Sequence, residues 1–172
     1  DWNTLAYDDS LWDKATAVGP HPTAPWTGQL TPELTRIEKS LIVPATITKK
    51  SEGKYVIDLG KVQAGMPRIH FSGGSPGSIV TMRGGYDLNE HGEIPPNTLF
   101  QSTLMEYKTT LDGNVFTYAP IEYLGFRYFQ IDNAPMPVTS ENFQFIVRHS
   151  ELDSEASDFE SSDSTLNAVW HL

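Results

Sequence analysis

The chain has 172 residues, with 12 Lys and Arg against 22 Asp and Glu, so its formal net charge at pH 7 is −10. This acidic balance excludes a nucleic-acid surface and an anionic-membrane surface, because both need clustered cations. The chain contains no cysteine, which excludes disulfides and thiolate chemistry. Hydrophobic residues make up 38% of the chain, enough for a packed core, and none of their runs is long enough to span a bilayer.

Residues 1–50 are predicted to be an extended segment that is pinned by its tryptophans, Trp2, Trp12 and Trp26. Four prolines lie between Pro20 and Pro32. Proline lacks the amide donor and restricts the residue before it, so a regular element is not expected there. We interpret this segment as a linker or as the end of a preceding domain.

Residues 51–150 are predicted to form an all-β domain. Short runs in which apolar and polar residues alternate predict half-buried strands, and the Gly- and Pro-containing segments between them predict turns. The predicted strands are 55–59, 67–72, 78–83, 104–111, 115–118, 126–131 and 143–148. Many short strands without interleaved helices predict an antiparallel β-sandwich, with a jelly-roll-like topology preferred, because two half-apolar sheets bury their faces against each other.

Residues 151–172 are predicted to be an acidic linker followed by the start of a helix. Between 151 and 163 there are six acids and no base, a pattern typical of a solvated linker. Ser162 or Ser164 can cap a helix. Its apolar face, at helical spacing, consists of Leu166, Val169 and Trp170. Because this face has no partner in the sequence, we expect a helical domain to follow in a longer parent protein.

The polar segment 84–96 is the candidate binding loop. Asp87 and Asn89 are spaced like the first ligands of an EF-hand, but His91 and Thr98 occupy the fifth and twelfth positions, so the EF-hand match fails. A less regular calcium site is kept as an alternative to a plain surface turn, and no other cofactor is expected. If the loop binds carbohydrate, the contact residues are Tyr86, Asp87, Asn89, Glu90 and His91.

The sequence assigns neither a catalytic residue nor a metal ligand. The five histidines lack zinc-ligand spacing, and the chain has no Gly-x-Ser-x-Gly nucleophile elbow. The best-placed acid is Glu122, beside aromatic residues and five positions before Arg127, and we interpret it as part of a structural ion pair. The run from Phe126 to Ile131 is apolar on both faces apart from Arg127 and Gln130, which predicts a central strand.

Several segments resemble the β-sandwich domain of bacterial and fungal α-L-rhamnosidases, of the kind found in glycoside hydrolase family 78. They are Tyr55–Gly60 (YVIDLG), Ala64-Gly65, the Gly-Ser-Pro-Gly turn before Ile79–Arg83, and Phe116–Tyr128 (FTYAPIEYLGFRY). Residues 7–12 are similar to the end of that family's preceding domain. Residues 159–170 are similar to the beginning of its (α/α)6-barrel catalytic domain.

The resemblance implies a division of labour between domains. In such enzymes, acidic residues of the helical barrel hydrolyse terminal α-L-rhamnosides with inversion, so the parent protein is expected to be a glycosidase and this segment to be inactive. The implied partner is the helical catalytic domain of the same parent chain, which this segment supports and whose substrate rim it helps to shape. A secreted or periplasmic location is also implied.

Two alternatives remain open. One is a carbohydrate-binding module that recognises rhamnose-containing glycans through the 84–96 segment. The other is an adhesion-type protein-interaction sandwich, for which the sequence offers no specific feature.

Overall fold

A computed structural model describes residues 6–32, 35–151, 153 and 156–171. The chain divides into two compact units, Asp1–Leu34 and Thr35–Leu172. Within the described ranges, no helix has both the length and the apolar character that a bilayer crossing requires.

In the first unit, residues 6–32 form turns and a single bridge between Thr23 and Trp26, without a helix or a strand. This matches the expectation from the prolines. The Trp12 ring packs against Tyr7 at a tilt of 56°, with ring centroids 5.5 Å apart, but both Trp12 and Trp26 are more than half exposed. Trp2 lies outside the described residues, so its predicted anchoring role stays a prediction.

The described part of the second unit contains ten strands and one helix. They are β1 Ile37–Ile42, β2 Thr46–Ser51, β3 Lys54–Phe71, β4 Ile79–Gly85, β5 Leu99–Phe100, β6 Thr103–Leu104, β7 Glu106–Thr110, β8 Phe116–Tyr118, β9 Leu124–Asp132, β10 Phe143–Ser150 and α1 Ser164–Trp170. One antiparallel sheet has the order β1-β10-β3-β9-β4-β7, and β2 and β8 also pair with β3. The two short strands β5 and β6 form a separate pair.

The sheet is organised around β3, which is 18 residues long. Its first half pairs with β2, its second half pairs with β10 and β8, and β9 pairs with both halves, from Tyr55 to Gly65. Between Asp58 and Gln63 the register against β9 shifts, which marks a bulge. Because a bulge bends the strand and increases its twist, the two halves of β3 carry two differently oriented parts of the sheet.

These two parts enclose one hydrophobic core. The ring of Phe126 in β9 lies 5.3 Å from Phe145 in β10, and Phe129 in β9 lies 5.7 Å from Phe143 in β10. Phe129 pairs with Ile57 and Phe143 pairs with Ile69, and these two partners are twelve residues apart along β3. They would be about 40 Å apart in a straight strand, so β3 bends and the sheet curls over these rings. The predicted all-β antiparallel sandwich is confirmed.

Several predicted element boundaries differ from the structure. The runs 55–59 and 67–72 belong to the single strand β3, since the glycine- and lysine-containing stretch between them remains extended. Strands β1 and β2 lie in the segment that was predicted to be extended. Five of the six residues in each are exposed, so neither shows the expected alternation of burial. The predicted central strand 126–131 is confirmed as β9, which lies between β3 and β4.

Helix α1 forms where a helix was predicted, but its cap is Asp163 and not one of the neighbouring serines. The Asp163 carboxylate accepts a hydrogen bond from Thr165 N at 2.8 Å. No described residue of the helix is buried. Its apolar side chains Leu166, Val169 and Trp170 are 51%, 59% and 48% exposed.

Candidate functional site

The candidate binding loop was predicted at 84–96; Gly84 and Gly85 belong to β4, and the connection from β4 to β5 spans residues 86–98. Hydrogen bonds tie this β4–β5 loop to the sheet. Asn89 Oδ1 accepts from the backbone N–H groups of His91 and Glu93 at 3.0 and 2.9 Å, which closes a tight turn. From the sheet side, Lys50 Nζ donates to His91 O at 2.8 Å, and Lys54 Nζ lies 3.0 Å from Glu93 Oε2. The loop is therefore a defined surface feature.

The structure places the five predicted contact residues on this loop in different roles. Tyr86 is half-buried, with its ring edge against Phe100 at 5.5 Å. The side-chain oxygen of Asn89 accepts the two backbone hydrogen bonds that close the turn. Asp87, Glu90 and His91 are exposed, and His91 Nε2 lies 3.7 Å from Glu90 Oε1. Sugar binding by this loop stays a prediction. In the described residues, no group of three or more His, Asp or Glu side chains could hold a metal ion.

A buried polar network anchors the loop at Ile94, which is itself buried. Arg83 Nε donates to Ile94 O at 3.0 Å, and Ile94 N donates to Gln130 Oε1 at 2.7 Å. Asp132 accepts from Arg83 Nη2 and, at 3.1 Å, from Gln130 Nε2. Arg83 is 6% exposed and Gln130 is 1% exposed. None of the buried side-chain nitrogen and oxygen atoms of these residues lacks a hydrogen-bond partner, as buried polar groups require.

Sequence reasoning missed this network, although one signal was present. Gln130 is a polar residue in an otherwise apolar strand, and buried glutamine needs hydrogen-bond partners. Arg83, which shares Ile94 and Asp132 with Gln130 as hydrogen-bond partners, lies directly opposite it, because the antiparallel pairing of β4 with β9 aligns the two residues. Finding that pairing requires the register, which the sequence pattern does not give.

A second polar contact joins two of the segments that carry the family resemblance. Arg127 Nε and Nη2 each donate to the Asp58 carboxylate at 2.9 Å, and Asp58 Oδ1 also accepts from Gly60 N at 2.7 Å. The predicted ion pair of Glu122 with Arg127 is wrong, since Glu122 is exposed and β3 brings Asp58 to the arginine instead. The guanidinium also lies over the Tyr128 ring, 4.9 Å from its centroid.

The pKa values of Asp58 and Arg127 are shifted mainly by the hydrogen bonds between the two side chains. Donation from Arg127 lowers the pKa of Asp58, against a smaller opposing effect of burial. The same hydrogen bonds raise the pKa of Arg127, and the charge of the loop residue Asp87 adds to that increase.

This geometry predicts a pH-dependent contribution to stability. Arg127→Met should lower the free energy of unfolding at pH 7, and the loss should be modest because the guanidinium is partly exposed. Since the folded pKa of Asp58 is lowered from 3.8, its stabilisation is present above that value and is lost as the pH falls through the folded pKa.

Urea unfolding of both proteins, from neutral pH to about pH 2, checks this expectation. The gap between wild type and Arg127→Met should close in acid. Lys39→Met, which removes an exposed cation from β1, is the matched control and should show no such closure. A gap that stays constant down to the lowest pH would contradict the role of Asp58.

The shifted carboxyl groups are poorly suited to proton donation. The pKa values of Asp8, Asp58 and Asp112 are lowered by hydrogen bonds, chiefly from Ser10, Arg127 and Asn114. A general acid for glycoside hydrolysis needs a raised pKa.

An open cavity of about 520 Å³ has no acidic or basic side chain in its lining. It is bounded by Gly74, Ser75, Ser78, Ile79, Leu111, Asn133 and Pro135.

Comparison with known proteins gives consistent matches. Residues 48–149 match the family described as the bacterial alpha-L-rhamnosidase concanavalin-like domain. An alpha-L-rhamnosidase of Formosa agariphila is 22% identical over 177 residues, covering 100% of this chain and 18% of that protein. The solved alpha-L-rhamnosidase of Dictyoglumus thermophilum has a TM-score of 0.78 and 25% identity, covering 99% of this chain and 19% of that one. The Streptomyces avermitilis enzyme complexed with L-rhamnose has a TM-score of 0.62 and 28% identity, covering 79% of this chain and 13% of that one.

The chain thus spans about a fifth of the first two of these relatives, 18% and 19% of their lengths. The family match includes the Asp58–Arg127 pair, the network around Gln130 and the whole β4–β5 loop. These features therefore belong to the matched domain.

Proposed function

This chain belongs to the family of bacterial α-L-rhamnosidase concanavalin-like domains, and from that membership we propose that it is a non-catalytic β-sandwich domain of a longer α-L-rhamnosidase. The observation that carries the proposal is the family match, which covers residues 48–149 and so nearly all of the curled sheet. In the proposed parent protein, a helical catalytic domain hydrolyses the rhamnoside and this domain supports it.

The carboxyl groups of this domain favour a catalytic site that lies in another domain. Inverting glycosidases need one carboxyl with a raised pKa and a second that activates water across the scissile bond. Asp58 is instead held ionised by Arg127, and it contributes to the structure of the sheet. We therefore place the reacting carboxyl groups outside this domain.

The apolar face of α1 is the proposed contact with the helical catalytic domain. The helix has seven residues, and helices this short are marginal in water unless they are packed against something. Because its large apolar side chains are already about half buried, completing their burial would contribute about 0.7–1.5 kcal/mol each. The residues we assign to this contact are Leu166, Val169 and Trp170.

The exposed β4–β5 loop is the part of this domain that we assign to the rim of the catalytic domain's substrate-binding site.

The test of the proposal is an assay of the purified chain with an aryl α-L-rhamnoside. We expect no hydrolysis above the buffer rate, because every carboxyl group with a shifted pKa in the described part of the chain has it lowered, whereas a general acid needs it raised. Carbohydrate binding through the β4–β5 loop is kept as the alternative function. It would require saturable binding that Tyr86→Ala abolishes.

A further inference from the structure

A polar groove of about 180 Å³ lies on the outer face of the sheet, away from the β4–β5 loop. Two of its side chains, Arg68 and His70, alternate along β3 with the buried residues Pro67, Ile69 and Phe71, so they point away from the core. The complete lining is Arg68, His70, Thr117, Glu141, Asn142 and Gln144. All six carry polar side chains, and they come from β3, β8, β10 and the turn before β10.

Strand register places these side chains next to one another. Gln144 of β10 is opposite Arg68, and Thr117 of β8 is opposite His70. Arg68 Nη1 lies 3.4 Å from Gln144 Oε1, and His70 Nδ1 lies 3.1 Å from Thr117 Oγ1. Two neighbouring cross-strand pairs therefore form one polar row across three strands.

The turn before β10 forms a fixed wall of the groove. Asn142 Oδ1 accepts from Thr139 N at 2.9 Å, and Asn142 Nδ2 donates to Pro137 O at 2.8 Å. His70 N donates to Asn142 O at 2.8 Å, which joins the turn to β3. The hydrogen bonds of Asn142 thus hold the turn in place against β3. Glu141, beside it, contributes a carboxylate to the polar lining.

The hydrogen-bonding capacity of the groove exceeds what its internal contacts use. A guanidinium has five N–H donors, and the contact from Arg68 to Gln144 is long. The carboxylate of Glu141 supplies acceptors, and the Gln144 amide nitrogen and His70 Nε2 add further capacity. Donors and acceptors therefore converge on one small space. A ligand rich in hydroxyl groups fits this mixture, because each hydroxyl both donates and accepts.

We propose that this groove binds a single neutral sugar ring. The formal charges of Arg68 and Glu141 cancel, which favours a neutral ligand over an anion. The volume corresponds to about six waters and is below the roughly 300 Å³ of pockets for larger ligands, so one ring fits. Because four of the six lining residues are exposed and the other two are half-buried, the expected dissociation constant is about 1 mM or weaker.

The experiment is an NMR titration of the ¹⁵N-labelled 172-residue chain with L-rhamnose as the neutral probe and D-galacturonate as the anionic probe. L-Rhamnose should cause saturable shifts of amides in β3, β8 and β10 around the groove. D-Galacturonate should cause smaller shifts at the same concentration. Stronger binding of the uronate, or no saturable shift with L-rhamnose, would overturn the proposal.

Two variants locate the site. Arg68→Met should weaken L-rhamnose binding about tenfold, since it removes charge-assisted donors, whereas Lys39→Met should leave binding unchanged. Shifts that are confined to the β4–β5 loop and abolished by Tyr86→Ala would contradict the groove and favour the loop. Failure of the groove proposal leaves the non-catalytic assignment standing, because that assignment is tested by turnover and not by binding.

Discussion

Gly65→Ala is expected to lower the free energy of unfolding by about 3 kcal/mol or more. A Cβ at this position would lie 2.0 Å from Ile146 O and 2.7 Å from Cε1 of the Phe145 ring. The first of these atoms belongs to the backbone of β10, so it cannot move without disturbing the strand pair. Urea unfolding followed by far-UV circular dichroism measures the loss.

Gly125→Ala is the matched control. Gly125 lies in β9, which also pairs with β3, and a Cβ there meets no heavy atom within 4 Å. The expected change is within about 0.5 kcal/mol. If the two variants lost the same stability, the close approach of β10 to Gly65 would not be the cause.

Gln130→Leu is expected to cost about 2–4 kcal/mol, although leucine has a similar size and is more apolar. The substitution leaves the buried Ile94 N–H without its acceptor, and it removes one donor from the half-buried Asp132, which keeps its contact with Arg83. The same urea experiment gives the energy. Hydrogen exchange should also show faster exchange of the Ile94 amide, because its bond to Gln130 is gone.

Gln144→Leu provides the comparison for this substitution. Gln144 is half-buried on the outer face, and its side-chain oxygen makes the long contact with Arg68 at 3.4 Å. Its replacement should change stability by no more than about 0.5 kcal/mol and leave exchange at Ile94 unaltered. Unchanged protection of Ile94 in Gln130→Leu would contradict the anchoring role of the network.

The sequence predicted the strands that have one buried face. Ile69 and Phe71, or Phe143 and Phe145, alternate with polar residues because one side of the strand faces the core. Strands β1 and β2 are mostly exposed, so burial imposes little pattern on them. The continuity of β3 through Gly60 depends on a bulge, and local turn propensity gives the opposite indication at that point.

The polar contacts were less predictable, since each joins residues that are distant in sequence. Nearness along the chain suggested Glu122 as the partner of Arg127, but the pairing of β3 with β9 supplies Asp58. The outer groove likewise combines residues from three strands. Position on a strand face can be read from periodicity, whereas the partner across the sheet requires the register.

The most direct test of the central claim is the rate of aryl α-L-rhamnoside hydrolysis at increasing concentrations of the purified 172-residue chain. An assignment of the chain as a non-catalytic domain predicts a rate equal to that of buffer at every protein concentration. A rate that increases in proportion to the folded protein, and that disappears when the protein is unfolded with urea, would contradict it.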